Sequence, residues 1–244
     1  MFKFFRNIRF KLMSNNQTGR YLKYAIGEII LVVIGILIAL QVNNWNEKRR
    51  SKATRDDYLN QLATDIDIMH QNYEGLVKVH KHELELAREA FAIINSCQIS
   101  SEQESNFKDL LVNFDNLGVL YQVRDTYEEM LSANLVASIE DKEFKHILSE
   151  FFAHRDAMQI FIDQYKGNLN ADFRIVKDHV LYGFDSSNQP TVTYDIEELC
   201  QSASFKNALV EVIKTRDATY QMVSILYEKL GKMQELIKAQ TTKN

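Results

Sequence analysis

The chain has 244 residues and a net charge of −4, with only eight glycines and one proline. Residues 1–55 carry 11 lysines and arginines against Glu28 and Glu47, a net charge of +9, so the remaining residues carry −13. The acidic body excludes nucleic acid as its natural partner. The scarcity of glycine and proline favours long helices, and we expect an all-α fold.

A basic tail over residues 1–23 comes first. Its apolar residues Phe4, Phe5, Ile8 and Leu12 share one helical face. This pattern predicts a short amphipathic helix on the anionic cytoplasmic leaflet of a membrane. A docking helix for a cytoplasmic partner is the alternative interpretation.

An aliphatic run follows, and residues 24–46 are predicted to form a transmembrane helix. The 18 residues from Ala25 to Val42 contain one charged side chain, and Trp45 supplies an interfacial aromatic group. About 20 such residues cross a bilayer. Because no small-x-small cleavage pattern follows the run, we expect an uncleaved signal anchor rather than a signal peptide.

The orientation of this helix rests on a small difference in flanking charge. Six lysines and arginines precede the run and five follow it closely, and positive charge is retained in the cytoplasm. Long domains cross membranes largely regardless of charge, so the acidic body does not oppose translocation. We expect a single-pass inner-membrane protein with a cytoplasmic N terminus and a periplasmic C-terminal domain.

The charged residue within the aliphatic run is Glu28. Steps of four and three residues place Glu28, Gly35 and Ala39 on one face, where Gly35-x-x-x-Ala39 allows close helix approach. This face is predicted to pack against another membrane protein or a second copy of the chain. In the alternative interpretation, Glu28 lies near the interface and reaches headgroups or Lys23.

Residues 47–244 are predicted to form a helical bundle. Apolar residues keep helical spacing, and no glycine or proline lies between Gly35 and Gly75, so the membrane helix should continue into a long stalk helix. A last helix is expected from about Ser204 to Ala239. The arrangement predicted is a transmembrane helix, a stalk and an antiparallel bundle.

Polar signals divide the rest of the body. Capping residues predict helix starts at Ser101, Thr126 and Asp141. The segment 182–194, which holds Pro190, is predicted to be a loop.

Candidate metal ligands are few. His80 and His82 point to different helical faces and are interpreted as solvated. His146, Glu150 and His154 are four residues apart, so they share a stripe that could bind a divalent transition metal. The same stripe is the polar side of an amphipathic helix, and this interpretation is favoured. Phosphate-binding, hydrolase and metalloprotease motifs are lacking, so we expect no enzyme and no cofactor.

The two cysteines, Cys97 and Cys200, are far apart in sequence. They could form a disulfide in an oxidising compartment, or remain buried thiols in a reducing one.

Two motifs carry a resemblance to a known family. The stretches YAIGEIILVVIGILIALQVNNWNE (Tyr24–Glu47) and KFFRNIR (Lys3–Arg9) resemble the start of a family of uncharacterised single-span membrane proteins from Bacteroidota. Thr126–Leu148 is similar to that family's second motif, in which a Ser-Ser-Gly turn is usual. Here Asn134 stands where the glycine would be and can take the left-handed conformation. The resemblance implies a Gram-negative envelope and a domain of unknown function, and it transfers no catalytic residue.

These observations predict a non-enzymatic, inner-membrane-anchored scaffold or an accessory subunit of an envelope complex. The alternative is a periplasmic sensory module that binds a small ligand or peptide and signals through a partner. The lipid bilayer and another membrane protein, or a homo-oligomer formed through the transmembrane helix, are the expected partners.

Overall fold

The computed structural model describes residues 18–114, 116 and 123–241, so the predicted tail lies outside them up to residue 17. The described chain is mainly α-helical, which confirms the all-α class. It divides into two units, Met1–Asp57 and Tyr58–Asn244.

The first helix is the longest element of the structure. Helix α1 runs from Thr18 to Ser96 and passes through Gly75 without a break. The continuous helix expected from the spacing of apolar residues is therefore confirmed. The helices that follow are α2 (Ser101–Val112), α3 (Asp125–Ser132), a 3₁₀ turn (Val136–Ser138), α4 (Lys142–His179), α5 (Ile196–Gln201) and α6 (Ala203–Thr241).

The helix starts show which capping predictions were right. Asp141 caps α4 as predicted, because its Oδ1 accepts the Phe144 N–H at 2.9 Å. Helix α2 is capped by Ser100 rather than Ser101, in a capping box with Gln103. The predicted start at Thr126 is wrong, since α3 begins at Asp125 without a side-chain cap.

The region between α4 and α5 corrects the prediction of a loop over 182–194. It forms an antiparallel hairpin of β1 (Val180–Phe184) and β2 (Pro190–Tyr194), with Val180 opposite Tyr194. Asp185 orders the turn, where its Oδ1 accepts the N–H groups of Ser187 and Gln189 at 2.8 and 2.9 Å. Pro190 is tolerated because it opens a strand of a two-stranded sheet.

Two hydrophobic cores hold the second unit together. The first core joins α1, α3, α4 and α6, and includes Leu62, Ile66, Met69, Tyr73, Phe144, Phe151, Val223 and Leu230. The second core joins the end of α1 to α2, the hairpin, α5 and the start of α6, and includes Ile93, Ile94, Phe107, Leu111, Val192, Leu199, Phe205 and Leu209.

Helices α1 and α6 contribute to both cores in opposite order along the chain. Pairing of α6 with α4 is also antiparallel, since Lys229 lies 2.7 Å from Glu150 and Lys232 lies 3.5 Å from Glu143. The predicted antiparallel packing is therefore observed for these helices.

Candidate functional site

The apolar part of α1 places Glu28, Gly35 and Ala39 along one stripe of the helix. None of the 18-residue apolar window is buried against other described residues, and Leu31 is 66% exposed. A Cβ atom added at Gly35 would meet nothing within 4 Å. By length and composition, α1 contains a stretch that could cross a bilayer.

The two cysteines meet in the second unit. Cys97 follows α1 and is joined by a disulfide to Cys200 of α5, with Cα atoms 5.6 Å apart and a sequence separation of 103. The bond ties the end of α1 to α5. Beside it, an open groove of about 510 Å³ lies between α1 and α2 and is lined by Ile93, Ser96, Ile99 and Gln103.

His146, Glu150 and His154 share a stripe of α4, where His146 Nε2 lies 3.3 Å from Glu150 Oε1. Glu150 Oε2 lies 2.7 Å from Lys229 Nζ, and this ammonium group lowers the pKa of the Glu150 carboxyl. His154 Nδ1 lies 2.8 Å from the Glu150 carbonyl oxygen. Among the described residues, no group of three ligating side chains is placed to hold a metal ion.

A buried cation lies at the edge of the first core. Arg155 is 4% exposed, and its Nη1 lies 3.2 Å from Asp156 Oδ1. The same carboxylate oxygen lies 2.6 Å from Arg124 Nη1, and Arg124 Nε lies 2.6 Å from Glu128 Oε1, so Arg155 shares its carboxylate with an arginine that has a second acidic partner. Arg155 Nε and the Tyr73 hydroxyl are buried without a hydrogen-bond partner in the described structure.

A second buried arginine is better satisfied. Arg216 of α6 donates to the carbonyl oxygens of Glu83 and Asn113, each at 2.9 Å. Burial lowers the pKa of its guanidinium. Arg216 thereby links α6 to α1 and to the end of α2. His80, interpreted from sequence as solvated, is in fact 4% exposed, so that prediction was wrong.

The junction of α5 and α6 brings three polar side chains into a row. The hairpin returns the chain to the end of α4, because Val180 pairs with Tyr194. His179 Nδ1 then lies 2.9 Å from Glu198 Oε1, and His179 Nε2 lies 3.0 Å from Ser202 Oγ. Ser202 precedes α6, and its Oγ accepts the Phe205 N–H at 3.2 Å.

Sequence reasoning missed this row. The members come from the end of α4, from α5 and from the residue before α6, so no short motif contains them. Only the closure of the hairpin places His179 beside Glu198. The one local signal was Ser202 ahead of an apolar-periodic helix, which is typical of a cap.

A family model described as a family of unknown function (DUF6090) matches residues 28–171. This range covers more than half of the chain, from the apolar part of α1 into α4, and ends before His179. No curated protein and no solved structure matches the chain. The chain therefore belongs to this family of unknown function.

Proposed function

We propose that this chain is an inner-membrane-anchored helical scaffold, or an accessory subunit of an envelope complex, with its C-terminal domain in the periplasm. One observation carries the proposal: no part of the aliphatic run of α1 is buried against the rest of the described chain. Leaving so much apolar surface in water is unfavourable, whereas hydrocarbon accommodates it. The resemblance to single-span proteins supports the same placement.

The disulfide supports the proposed compartment. Bonds such as Cys97–Cys200 persist in oxidising environments, including the bacterial periplasm, and are rare in the cytosol. An N terminus in the cytoplasm and a body outside it agree with this chemistry. The disulfide indicates this compartment independently of the flanking charges, which are nearly balanced.

Partner binding is proposed for the stripe that contains Gly35 and Ala39. Small side chains allow a second helix to approach closely, where packing and hydrogen bonds replace the hydrophobic effect. Glu28 lies on the same stripe and would face the partner helix. The partner is another membrane protein or a second copy of this chain.

Fractionation and co-purification test this proposal. The full chain should stay with membranes after lysis without detergent and should co-purify with a partner in mild detergent. Gly35→Leu should abolish co-purification, whereas Gly27→Leu, which lies off the stripe, should retain it. Both glycines have open space around an added Cβ, so neither change should disturb the chain itself.

Two results would contradict the proposal at different levels. Recovery of the intact chain in the aqueous fraction would remove the membrane placement and the role that depends on it. Equal co-purification of the Gly35→Leu and Gly27→Leu variants would leave the anchor in place and remove the packing face.

The sensory alternative is favoured by the surroundings of Arg155. The buried Arg155 Nε has no hydrogen-bond acceptor among the described residues, which is costly for a charged group, and the Tyr73 hydroxyl lacks one as well. A small carboxylate or phosphate ligand would supply hydrogen-bond acceptors for both groups. Calorimetric titration of the full chain with such anions should show uptake that Arg155→Met removes; no uptake would count against sensing.

A further inference from the structure

We infer that Ser202, His179 and Glu198 form a nucleophilic serine site that accepts acyl groups from carboxylic esters. The two contacts of the imidazole are 3.0 Å to Ser202 Oγ and 2.9 Å to Glu198 Oε1. A nucleophile within hydrogen-bond reach of a base, itself oriented by a third group, is the arrangement that activates serine. This activity goes beyond anchoring and revises the expectation of a chain without enzymatic activity.

The hydrogen bonds of Ser202 accommodate the direction that attack by its Oγ requires. Its Oγ accepts from the Phe205 N–H at 3.2 Å and lies 2.9 Å from Ser204 Oγ. When Ser204 donates, both lone pairs of Ser202 are used, so its own proton is directed to His179 Nε2. His179 then carries its proton on Nδ1 and donates it to Glu198. Each donor and acceptor in the row is satisfied in this arrangement.

Helix α6 supplies donors for a developing oxyanion. The N–H of Ser202 is engaged by the carbonyl oxygens of Glu198 and Leu199 at 3.1 and 3.2 Å. The next two N–H groups, of Ala203 and Ser204, open a helix of 39 residues and have no acceptor within it. Such groups stabilise negative charge on a reacting carbonyl oxygen.

The reaction follows from these positions. Ser202 Oγ bonds to the carbonyl carbon of the ester while its proton passes to His179 Nε2, and the carbonyl electron pair moves onto oxygen. The bond from carbon to the alcohol oxygen then breaks, and that oxygen takes the proton from Nε2. Water repeats the sequence on the acyl-serine, so that one ester and one water give one acid and one alcohol.

A helix cap alone would account for Ser202 but not for its neighbours. A serine that caps a helix requires only one hydrogen bond, from a backbone N–H of the helix to its Oγ. Capping requires neither an imidazole on the hydroxyl nor a carboxylate on the far ring nitrogen. Both are present here: the imidazole comes from α4 and the carboxylate from α5. The disulfide at Cys200 ties α5 to the end of α1.

The exposure of the row determines the choice of probe. The side chains of His179 and Glu198 are 21% and 58% exposed, so solvent weakens their mutual attraction while substrate has open access. A strongly electrophilic fluorophosphonate is therefore the appropriate reagent. It forms a bond from Ser202 Oγ to phosphorus and releases fluoride.

The experiment compares the full chain in mild detergent with three variants. The wild-type chain should be labelled once, with the label mapped to Ser202 by mass spectrometry. Ser202→Asn should abolish labelling yet keep the thermal unfolding midpoint, because asparagine caps a helix as well as serine does. His179→Gln should slow labelling by about a hundredfold, the usual contribution of a general base. Ser187→Ala, which changes an exposed serine of the hairpin turn outside the row, should be labelled as the wild-type chain is.

Either of two results would overturn the inference. A folded wild-type chain that takes up no label would reduce Ser202 to a helix cap. Labelling of His179→Gln at the wild-type rate would show that the reactivity of Ser202 does not depend on the row. Neither result bears on membrane fractionation, so this site and the proposed anchor can fail separately.

Discussion

Tyr73 carries a hydroxyl group into the first core, where its side chain is fully buried. The hydroxyl has no hydrogen-bond partner in the described structure, while the ring packs edge-on against Phe151 at 6.1 Å between centroids. The ring therefore contributes burial and aromatic contact, and the hydroxyl contributes a desolvation cost. Tyr182 offers a contrast, since its hydroxyl donates to the Leu111 carbonyl oxygen at 2.9 Å.

The two tyrosines should respond oppositely to the same change. Tyr73→Phe should raise the free energy of unfolding by about 1 kcal/mol, because an unpaired buried polar group is removed. Tyr182→Phe should lower it by about 1 kcal/mol, because a hydrogen bond is lost. Urea unfolding in mild detergent measures both. A destabilised Tyr73→Phe variant would instead indicate that a bound ligand or water accepts from Tyr73.

The free energies of unfolding of the wild-type chain and the Tyr73→Phe variant should diverge at alkaline pH. Burial raises the pKa of Tyr73 to about 12 from an ordinary value of 10.0, with Arg155 partly opposing the shift. Between these values the unfolded chain releases the proton and the native chain keeps it, so the free energy of unfolding falls as pH rises. The stability advantage of Tyr73→Phe should therefore widen above pH 10, the unfolded value.

His80 shows what a single-residue interpretation overlooks. The two-residue spacing of His80 and His82 makes a poor metal pair and favours a solvated surface, yet His80 lies seven residues after Tyr73 and is buried like it. Its Nδ1 lies 3.2 Å from Glu83 Oε2, which satisfies the ring within the bundle. The position of His80 in the apolar spacing predicts a buried side chain, whereas its residue type alone predicts a solvated one.

At the scale of elements, helix α2 gives the sharpest test of a local prediction. Sequence placed a capping box at Ser101, whereas Ser100 Oγ accepts the Gln103 N–H at 3.3 Å and Gln103 Oε1 accepts the Ser100 N–H at 3.1 Å. Both serines have a glutamate or glutamine three residues later, so the pattern alone does not separate them. In the structure Ser100 is the extended residue, with φ −83° and ψ 158°.

Alanine substitution distinguishes the two serines. Ser100→Ala should lower the free energy of unfolding by about 1 kcal/mol, because a helix N-cap is lost. Ser101→Ala should change it by less than about 0.5 kcal/mol, as for other exposed surface positions. Urea unfolding of the two variants under identical conditions provides the measurement. The reverse ranking would place the cap at Ser101.

Long helices were predictable because their signal is repeated. In α6, which the sequence predicts from about Ser204 to Ala239, the helically spaced apolar residues are buried: Phe205, Leu209, Val212, Val223 and Leu230. The hairpin was missed because each strand has five residues, too few for periodicity to outweigh the proline and the polar turn. Val180 and Val192, which are buried, and the aromatic residues beside them were the available strand signal. The row at Ser202 depends on this hairpin and was missed with it.

At the scale of the whole second unit, the two cores are joined through α1, α4 and α6, each of which contributes buried residues to both. The disulfide adds a covalent link at the second core, where Cys200 is one of the buried residues. It connects positions separated by 103 residues, a span that includes α2, α3, α4 and the hairpin. In the chain-entropy account, a link across so long a segment strongly restricts the unfolded chain.

Reduction of this bond should therefore weaken the unit as a whole. The free energy of unfolding of the full chain in mild detergent should fall by about 4 to 5 kcal/mol on reduction, the value expected for a loop of about a hundred residues. Hydrogen exchange should rise first in α5 and the end of α1, because the bond joins these two segments. A Cys97→Ser, Cys200→Ser double variant should show the lower stability already and respond no further to reductant. Equal unfolding of the oxidised and reduced wild-type chain would mean that packing alone holds α5 in place.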